Sequence, residues 1–269
     1  MVTGRVLVIA GSDSGGGAGI QADIKTITAL GGFATTAMTA LTAQNTVGVH
    51  GVLPVPAAFL GLQIDCVLDD IGTDAFKTGM LDQAELIDLV AARIANRPSV
   101  PFVLDPVMVA KGGARLLQPR ASATLRRSLV PLSTILTPNL PEAEILAGRT
   151  IASLDDMRSV AVQLLTLGAP AVLLKGGHLP GEDVVDLLAT EDGLESFHAP
   201  RIDSRHTHGT GCTLASAIAT GLAQGLGLRD SILRARAYLR LAMLSAPGYG
   251  AGHGPLDHTV TIDAGRLAL

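Results

Sequence analysis

Five segments of this 269-residue chain put side chains or backbone able to do chemistry at the ends of apolar runs. The first, Gly11-Ser12-Asp13-Ser14-Gly15-Gly16-Gly17-Ala18-Gly19, follows an apolar run and precedes a helical pattern, where backbone N–H groups and a helix dipole favour an anion. So many glycines cost folding entropy unless the backbone must approach something closely. A second, His206-Thr207-His208-Gly209-Thr210-Gly211-Cys212-Thr213, precedes an Ala- and Leu-rich helical stretch. Gly209 and Gly211 can turn successive N–H groups toward one point, and a thiol in the first helical turn has its pKa lowered by the same dipole. The histidines of this segment read as solvated loop residues. Asp105 closes Phe102-Val103-Leu104 and precedes Pro106, and a carboxylate there suits Mg²⁺, which takes few protein oxygens plus phosphates and water. Thr137-Pro138-Asn139-Leu140-Pro141-Glu142 repeats that arrangement, although Asn139 and Glu142 are equally well suited to capping a helix. Lys175, before Gly176-Gly177-His178, is a phosphate partner or a lysine snorkelling at a strand end.

The elements that must carry these segments alternate. Strand patterns at 6–10, 35–41, 75–79, 102–105, 134–137 and 171–175 are separated by helical patterns at 19–30, 57–68, 85–95, 121–129 and 154–167. Apolar strands separated by amphipathic helices predict a mostly parallel sheet covered on both faces. The segments 184–189 and 194–198 predict a short antiparallel hairpin at one edge, and helices over 212–225 and 230–244 close the chain. In such sheets ligands bind beyond the carboxyl ends of the strands, where Gln44 and Met80 join the candidates.

Composition narrows the class. Hydrophobic residues make up 48% of the chain and aromatic residues 3%, so the core is aliphatic and disorder is excluded. A formal net charge of −4 with mixed signs recruits neither nucleic acid nor an anionic membrane. The mean hydropathy of +0.41 demands a search for membrane spans. The stretch between Lys25 and Asp65 holds no Asp, Glu, Lys or Arg, yet Gly31, Gly32, Gln44, Asn45, His50, Pro54 and Pro56 interrupt it. With no secretory signal pattern and two cysteines, Cys66 and Cys212, the expectation is a cytoplasmic protein of one domain over 1–269. A Walker A loop is excluded because Gly17-Ala18 stand where it needs Lys and Ser or Thr. The dinucleotide fingerprint fits loosely, but its acidic ribose ligand would fall in the charge-free stretch.

Taken in order, the glycine loop, Asp105-Pro-Val-Met, Thr137-Pro-Asn-x-x-Glu, Lys175-Gly-Gly-His and His208-Gly-Thr-Gly-Cys resemble the hydroxymethylpyrimidine/phosphomethylpyrimidine kinases of thiamine biosynthesis, within the ribokinase-like superfamily. The similarity runs from about Val6 to Gly254-Pro255. One departure is His206, where the family pattern has Asn, and it bears on local nucleotide contacts.

The resemblance implies an α/β ribokinase-like fold without a separate lid domain, and successive phosphorylation of 4-amino-5-hydroxymethyl-2-methylpyrimidine and its monophosphate by MgATP. Gln44 would bind the aminopyrimidine edge, and Gly11, Ala18, Asp23, Met80 and Val107 would line its pocket. Asp105 and Glu142 would organise Mg²⁺, directly or through water, while Lys175 and Asn139 address phosphates. Gly209, Thr210, Gly211 and Cys212 would form the anion hole, with Cys212 taking the hydroxyl proton. A monovalent cation is left open, and a homodimer is implied, for which the charge-poor segment 35–51 could supply a surface. Pyridoxal kinase remains an alternative activity. A sugar kinase generally has Asp in place of Cys212, and a non-catalytic sensor would have a broken Asp105, Lys175 or anion hole.

Overall fold

The computed structural model describes residues 3–108 and 119–262, so the expected domain over 1–269 extends beyond them. Val6 to Ala10 form the middle of a strand because a run without charges can be buried on both faces: β1 is Arg5–Asp13, with the six successive residues Val6 to Gly11 buried. After it come α1 (Gly19–Ala29), β2 (Phe33–Asn45), β3 (Gly48–Pro54), α2 (Ala57–Asp70), β4 (Ala75–Thr78), α3 (Ala84–Ala95) and β5 (Phe102–Leu104). The chain continues through α4 (Pro119–Thr124), β6 (Ile135–Leu136), α5 (Leu140–Ala147), α6 (Leu154–Leu165) and β7 (Ala171–Leu174). The last elements are β8 (Asp183–Thr190), β9 (Gly193–Pro200), α7 (Thr210–Ala223) and α8 (Leu228–Leu244).

Among the described residues nine strands form one sheet in the order β3-β2-β1-β4-β5-β6-β7-β8-β9. The six from β2 to β7 run parallel, and β3, β8 and β9 are antiparallel to their neighbours. Alternation along β1 divides the core, as a period of two requires. Leu7 and Ile9 pack with residues of α2, α3, α5 and α6, whereas Val6, Val8 and Ala10 pack with residues of α1, α7 and α8. The expected parallel sheet with helices on both faces is therefore present, with the hairpin β8–β9 at one edge turning through Glu191-Asp192. None of the described helices is long and apolar enough to cross a membrane.

The structure corrects several expected elements. The strand expected at 35–41 extends over Phe33–Asn45 and pairs with β3, which was not expected, so both sheet edges end in antiparallel strands. Two glycines, a histidine and a register shift at Ala43/Gln44 obscure the alternation there. Helix α5 was expected only as a cap. The helix expected over 121–129 is α4 followed by a wide turn over Leu125–Leu129 and a tight one over Val130–Leu132, where Pro131 removes a donor.

Candidate active site

At the carboxyl ends of the parallel strands lies a cavity of about 800 Å³. Gly11, Ala18, Gln44, Met80, Asp105, Val107, Asn139, Glu142, Lys175 and Gly209 to Cys212 all line it, so elements far apart in sequence meet at the expected rim. The separate strand ends become one surface only because the strands are parallel and share a direction.

The glycine loop is shaped by Asp13, whose role the sequence did not reveal. Its Oδ1 accepts the Gly15 N–H at 2.8 Å, and its Oδ2 accepts those of Gly17 and Ala18 at 3.0 and 2.8 Å. The same Oδ2 lies 2.9 Å from His208 Nε2. Burial pushes the carboxyl up, but the hydrogen bonds from His208, Ala18 and Gly15 outweigh it and leave the pKa below its usual value. His208 is therefore no solvated loop residue: its side chain is 15% exposed and ties the start of α7 to the glycine loop. Ser14 completes the clamp, donating from Oγ to the Gln44 carbonyl and accepting the Gln44 N–H, each at 2.8 Å.

Helix α7 starts at Gly209, with φ +81°, where a Cβ would collide with the Gly17 carbonyl. Only glycine satisfies both the left-handed backbone and that close approach. Gly211 faces the charges: a Cβ there would lie 3.4 Å from Lys175 Nζ and 3.7 Å from the Asp105 carboxylate. The helix start thus opens onto a lysine and a carboxylate.

Those two form an ion pair at 3.1 Å, with Asp105 almost fully buried. Burial alone would lower the pKa of Lys175, but Asp105 and Glu142 outweigh it and raise it. Glu142 is pushed up to about 7, chiefly by burial, with Lys175 opposing and Asp105 adding to the rise. Asn139 and Glu142 form a reciprocal cap on α5: Asn139 Oδ1 accepts the Glu142 N–H at 3.0 Å and Glu142 Oε2 accepts the Asn139 N–H at 2.8 Å. The capping and rim-lining readings of this pair hold together. Among the described residues no group of three or more His, Cys, Asp or Glu side chains could hold a metal ion. Two carboxylates are nonetheless a donor set of the hard-oxygen kind that Mg²⁺ takes when phosphates and water complete its shell.

Two expectations are corrected. Asp23 does not line the cavity; it is fully buried, paired with Lys77 at 2.8 Å and accepting from Ser216 Oγ at 2.6 Å. Its place on α1 turns it inward toward β4 and α7, whereas the pocket lies past the helix start. Burial pushes the Cys212 thiol up to about 12, although Lys77 and the Gly19 N–H pull it down. Desolvation, reinforced by the nearby carboxylates of Asp23 and Asp105, moves the thiol in the direction opposite to that expected of a helix start.

The other end of the cavity was not anticipated. Val184, Ala199, Ile202, Leu239 and Met243 supply apolar walls, and Arg236, paired with Asp186, stands 5.5 Å from the Phe197 ring centroid. The spacing of Leu239 and Met243 on one face of α8 is the only local signal for this wall. His206, the departure noted above, is absent from the lining.

A helix start that faces Lys175 and Asp105 on the rim of this sheet fits a ribokinase-like small-molecule kinase. The profile of the phosphomethylpyrimidine kinase family matches residues 13–257, and the chain belongs to that family. It is 48% identical over 255 residues to the hydroxymethylpyrimidine/phosphomethylpyrimidine kinase of Bacillus subtilis, covering 94% of each chain. It is 52% identical over 260 residues to a thiamine biosynthesis bifunctional protein of Geobacter sulfurreducens, covering 97% of this chain but about half, 53%, of that longer protein. Among solved structures, Bacillus subtilis pyridoxal kinase in complex with ADP superposes with a TM-score of 0.89 at 35% identity, covering 96% of this chain and 98% of the other. The phosphomethylpyrimidine kinase of Clostridium difficile gives 0.78 at 40% identity, over 88% and 97%.

Proposed function

We propose that the chain transfers the γ-phosphoryl group of ATP to the hydroxyl of 4-amino-5-hydroxymethyl-2-methylpyrimidine, and then phosphorylates the resulting monophosphate to the diphosphate. The observation that carries this reading is the approach of Gly211 to Lys175 and Asp105 in a cavity that also holds the Gln44 amide. The substrate hydroxyl oxygen forms the new bond to phosphorus, the bond from phosphorus to the leaving ADP oxygen breaks, and the hydroxyl proton departs late because the transition state is loose. Backbone N–H groups at 209–212 receive the equatorial oxygens, and Lys175 and Asn139 address the phosphates. Mg²⁺, when bound, neutralises charge on the phosphate oxygens, and Asp105 and Glu142 would hold it directly or through water. Cys212 is the proposed acceptor of the hydroxyl proton in its thiolate form, which a thiol pushed up to about 12 supplies only rarely at neutral pH, so charge stabilisation carries the larger share.

Gly11, Ala18, Met80 and Val107 would enclose the neutral heterocycle while Gln44 binds its polar edge. Phosphorylation of pyridoxal is a second reading, supported by the fit to pyridoxal kinase structures. A homodimer is proposed on the exposed apolar residues Val47, Val49, Val52 and Leu53 around β3, and light scattering at several concentrations tests it. ATP consumption measured with hydroxymethylpyrimidine, its monophosphate and pyridoxal in parallel tests the main reading. Turnover of both pyrimidines supports it; turnover of pyridoxal alone replaces it with the second.

A further inference from the structure

The Gln44 side chain sits between two partners that decide which way its amide points. The structure places Gln44 Nε2 3.2 Å from His208 Nε2 and Gln44 Oε1 3.3 Å from Thr42 Oγ1. The two ends have the same shape, so the hydrogens on the neighbours identify them. Asp13 keeps a lowered carboxyl pKa and is an acceptor only, and His208 Nε2 stands 2.9 Å from its Oδ2. That nitrogen therefore carries a hydrogen and has no lone pair to offer an amide N–H, so the amide with its two ends exchanged, its oxygen sharing that hydrogen with Asp13, is the better match. The Thr42 hydroxyl points the same way. Its single hydrogen is donated to the Ser12 carbonyl at 2.8 Å, which leaves a lone pair toward Gln44 and calls for the amide NH₂ there. Two independent partners thus demand one orientation.

We infer that the Asp13–His208 pair is a positioning device that locks the Gln44 amide with Oε1 toward His208 and Nε2 toward Thr42, and so selects the ring orientation that presents the hydroxymethyl group for phosphorylation. This rests on the aminopyrimidine reading above. An amide fixed this way offers an acceptor on the His208 side and a donor on the Thr42 side. The complementary ring edge has its exocyclic amine toward His208 and its ring nitrogen toward Thr42. On the proposed substrate the hydroxymethyl carbon is the ring neighbour of the amine-bearing carbon. Placing the amine on the His208 side therefore directs the hydroxyl toward the segment His208-Gly209-Thr210-Gly211-Cys212, where the helix start receives phosphate. The opposite amide orientation would turn the ring over and send the hydroxyl toward Ser12 and Thr42. A 4-oxo analogue, whose edge carries an acceptor and an N–H in the reverse order, is mismatched to the locked amide.

The experiment compares kcat/KM for the 4-amino substrate and its 4-oxo analogue in wild type, His208→Ala and His208→Gln. With the lock removed in His208→Ala the amide turns freely, and the amino-over-oxo preference is expected to fall about tenfold, the effect of one realigned hydrogen bond. His208→Gln, which still offers an N–H to Asp13, retains more of the preference. A role confined to folding would lower both activities alike and leave the ratio unchanged, which overturns the inference. A second measurement needs no substrate and no variant activity: nitrogen chemical shifts of the His208 ring in wild type must show a protonated Nε2. A bare Nε2 with the hydrogen on Nδ1 overturns the inference as well. If wild type phosphorylates neither pyrimidine, the substrate reading fails while the His208 tautomer still tests the lock.

Discussion

Lys77 and Asp23 meet at 2.8 Å with neither side chain exposed to solvent, beneath the floor of the cavity. Burial alone would lower the pKa of Lys77, but Asp23 foremost, together with Asp105, outweighs it, so the ammonium stays charged. A buried pair contributes little net stability, yet removing one partner strands the other charge at a cost of about 3–5 kcal/mol. Lys77→Met and Asp23→Leu should each destabilise by that order, and the double variant by clearly less than their sum. Urea unfolding of the four proteins completes the cycle, and additive losses would show that the two charges do not compensate one another.

Gly211 and Cys212 do different work at one helix start. Valine at Gly211 would press on Lys175 and Asp105 and displace the N–H groups that meet the phosphoryl group. Gly211→Val should be nearly inactive. Proton removal by a positioned side chain is typically worth about 10²–10⁴-fold, and Cys212→Ala should fall at the low end, because its thiol is pushed up to about 12. Single-turnover phosphorylation, with folding checked by circular dichroism, ranks them. A larger loss in Cys212→Ala would give the thiol the dominant part. By the same physics iodoacetamide should modify the exposed Cys66 before Cys212.

Asp105→Asn and Glu142→Gln should each weaken the response of turnover to Mg²⁺, and Lys175→Ala should lower turnover while the fold persists. Removing the cation leaves Asp105 without the partner that stands 3.1 Å away, so Lys175→Ala also loses stability. Activity titrated against Mg²⁺ at saturating ATP checks the assignment, and unchanged titrations in both acidic variants remove these residues from the metal site.

His258 gives the protein a stability that depends on pH. Its ring is buried, lies 3.0 Å from Thr213 Oγ1, and has its pKa pushed down from 6.5 to about 4 by burial and Lys25. A depressed imidazole binds its proton more readily in the unfolded chain, so its contribution is complete above pH 6.5 and is lost as pH falls toward 4. Between pH 7.5 and 5 that amounts to about 2 kcal/mol. Urea unfolding at both values should show this loss in wild type and a smaller one in His258→Gln; equal losses would place the ring in contact with water.

The local pattern of residues determined where the candidate chemistry lies. An uncharged run that ends in glycines makes a buried strand followed by a turn, and Gly209-Thr210-Gly211 makes a helix entry whose N–H groups face outward. Asp105 and Lys175 were legible because each closes an apolar run, and parallel strands bring such ends to one rim. Partnership was decided only by the tertiary structure. Asp13 and His208 lie 195 positions apart, so no spacing connects them, and their 2.9 Å contact exists because the starts of α1 and α7 converge on one side of the sheet. Asp23 looked like a pocket residue from its motif, but helix rotation relative to β4 sends it to Lys77 instead. The thiol of Cys212 shows the same division. Its position at a helix start is local, whereas its pKa is set by desolvation and by Lys77 on β4, Asp23 on α1 and Asp105 just past β5, which act through space.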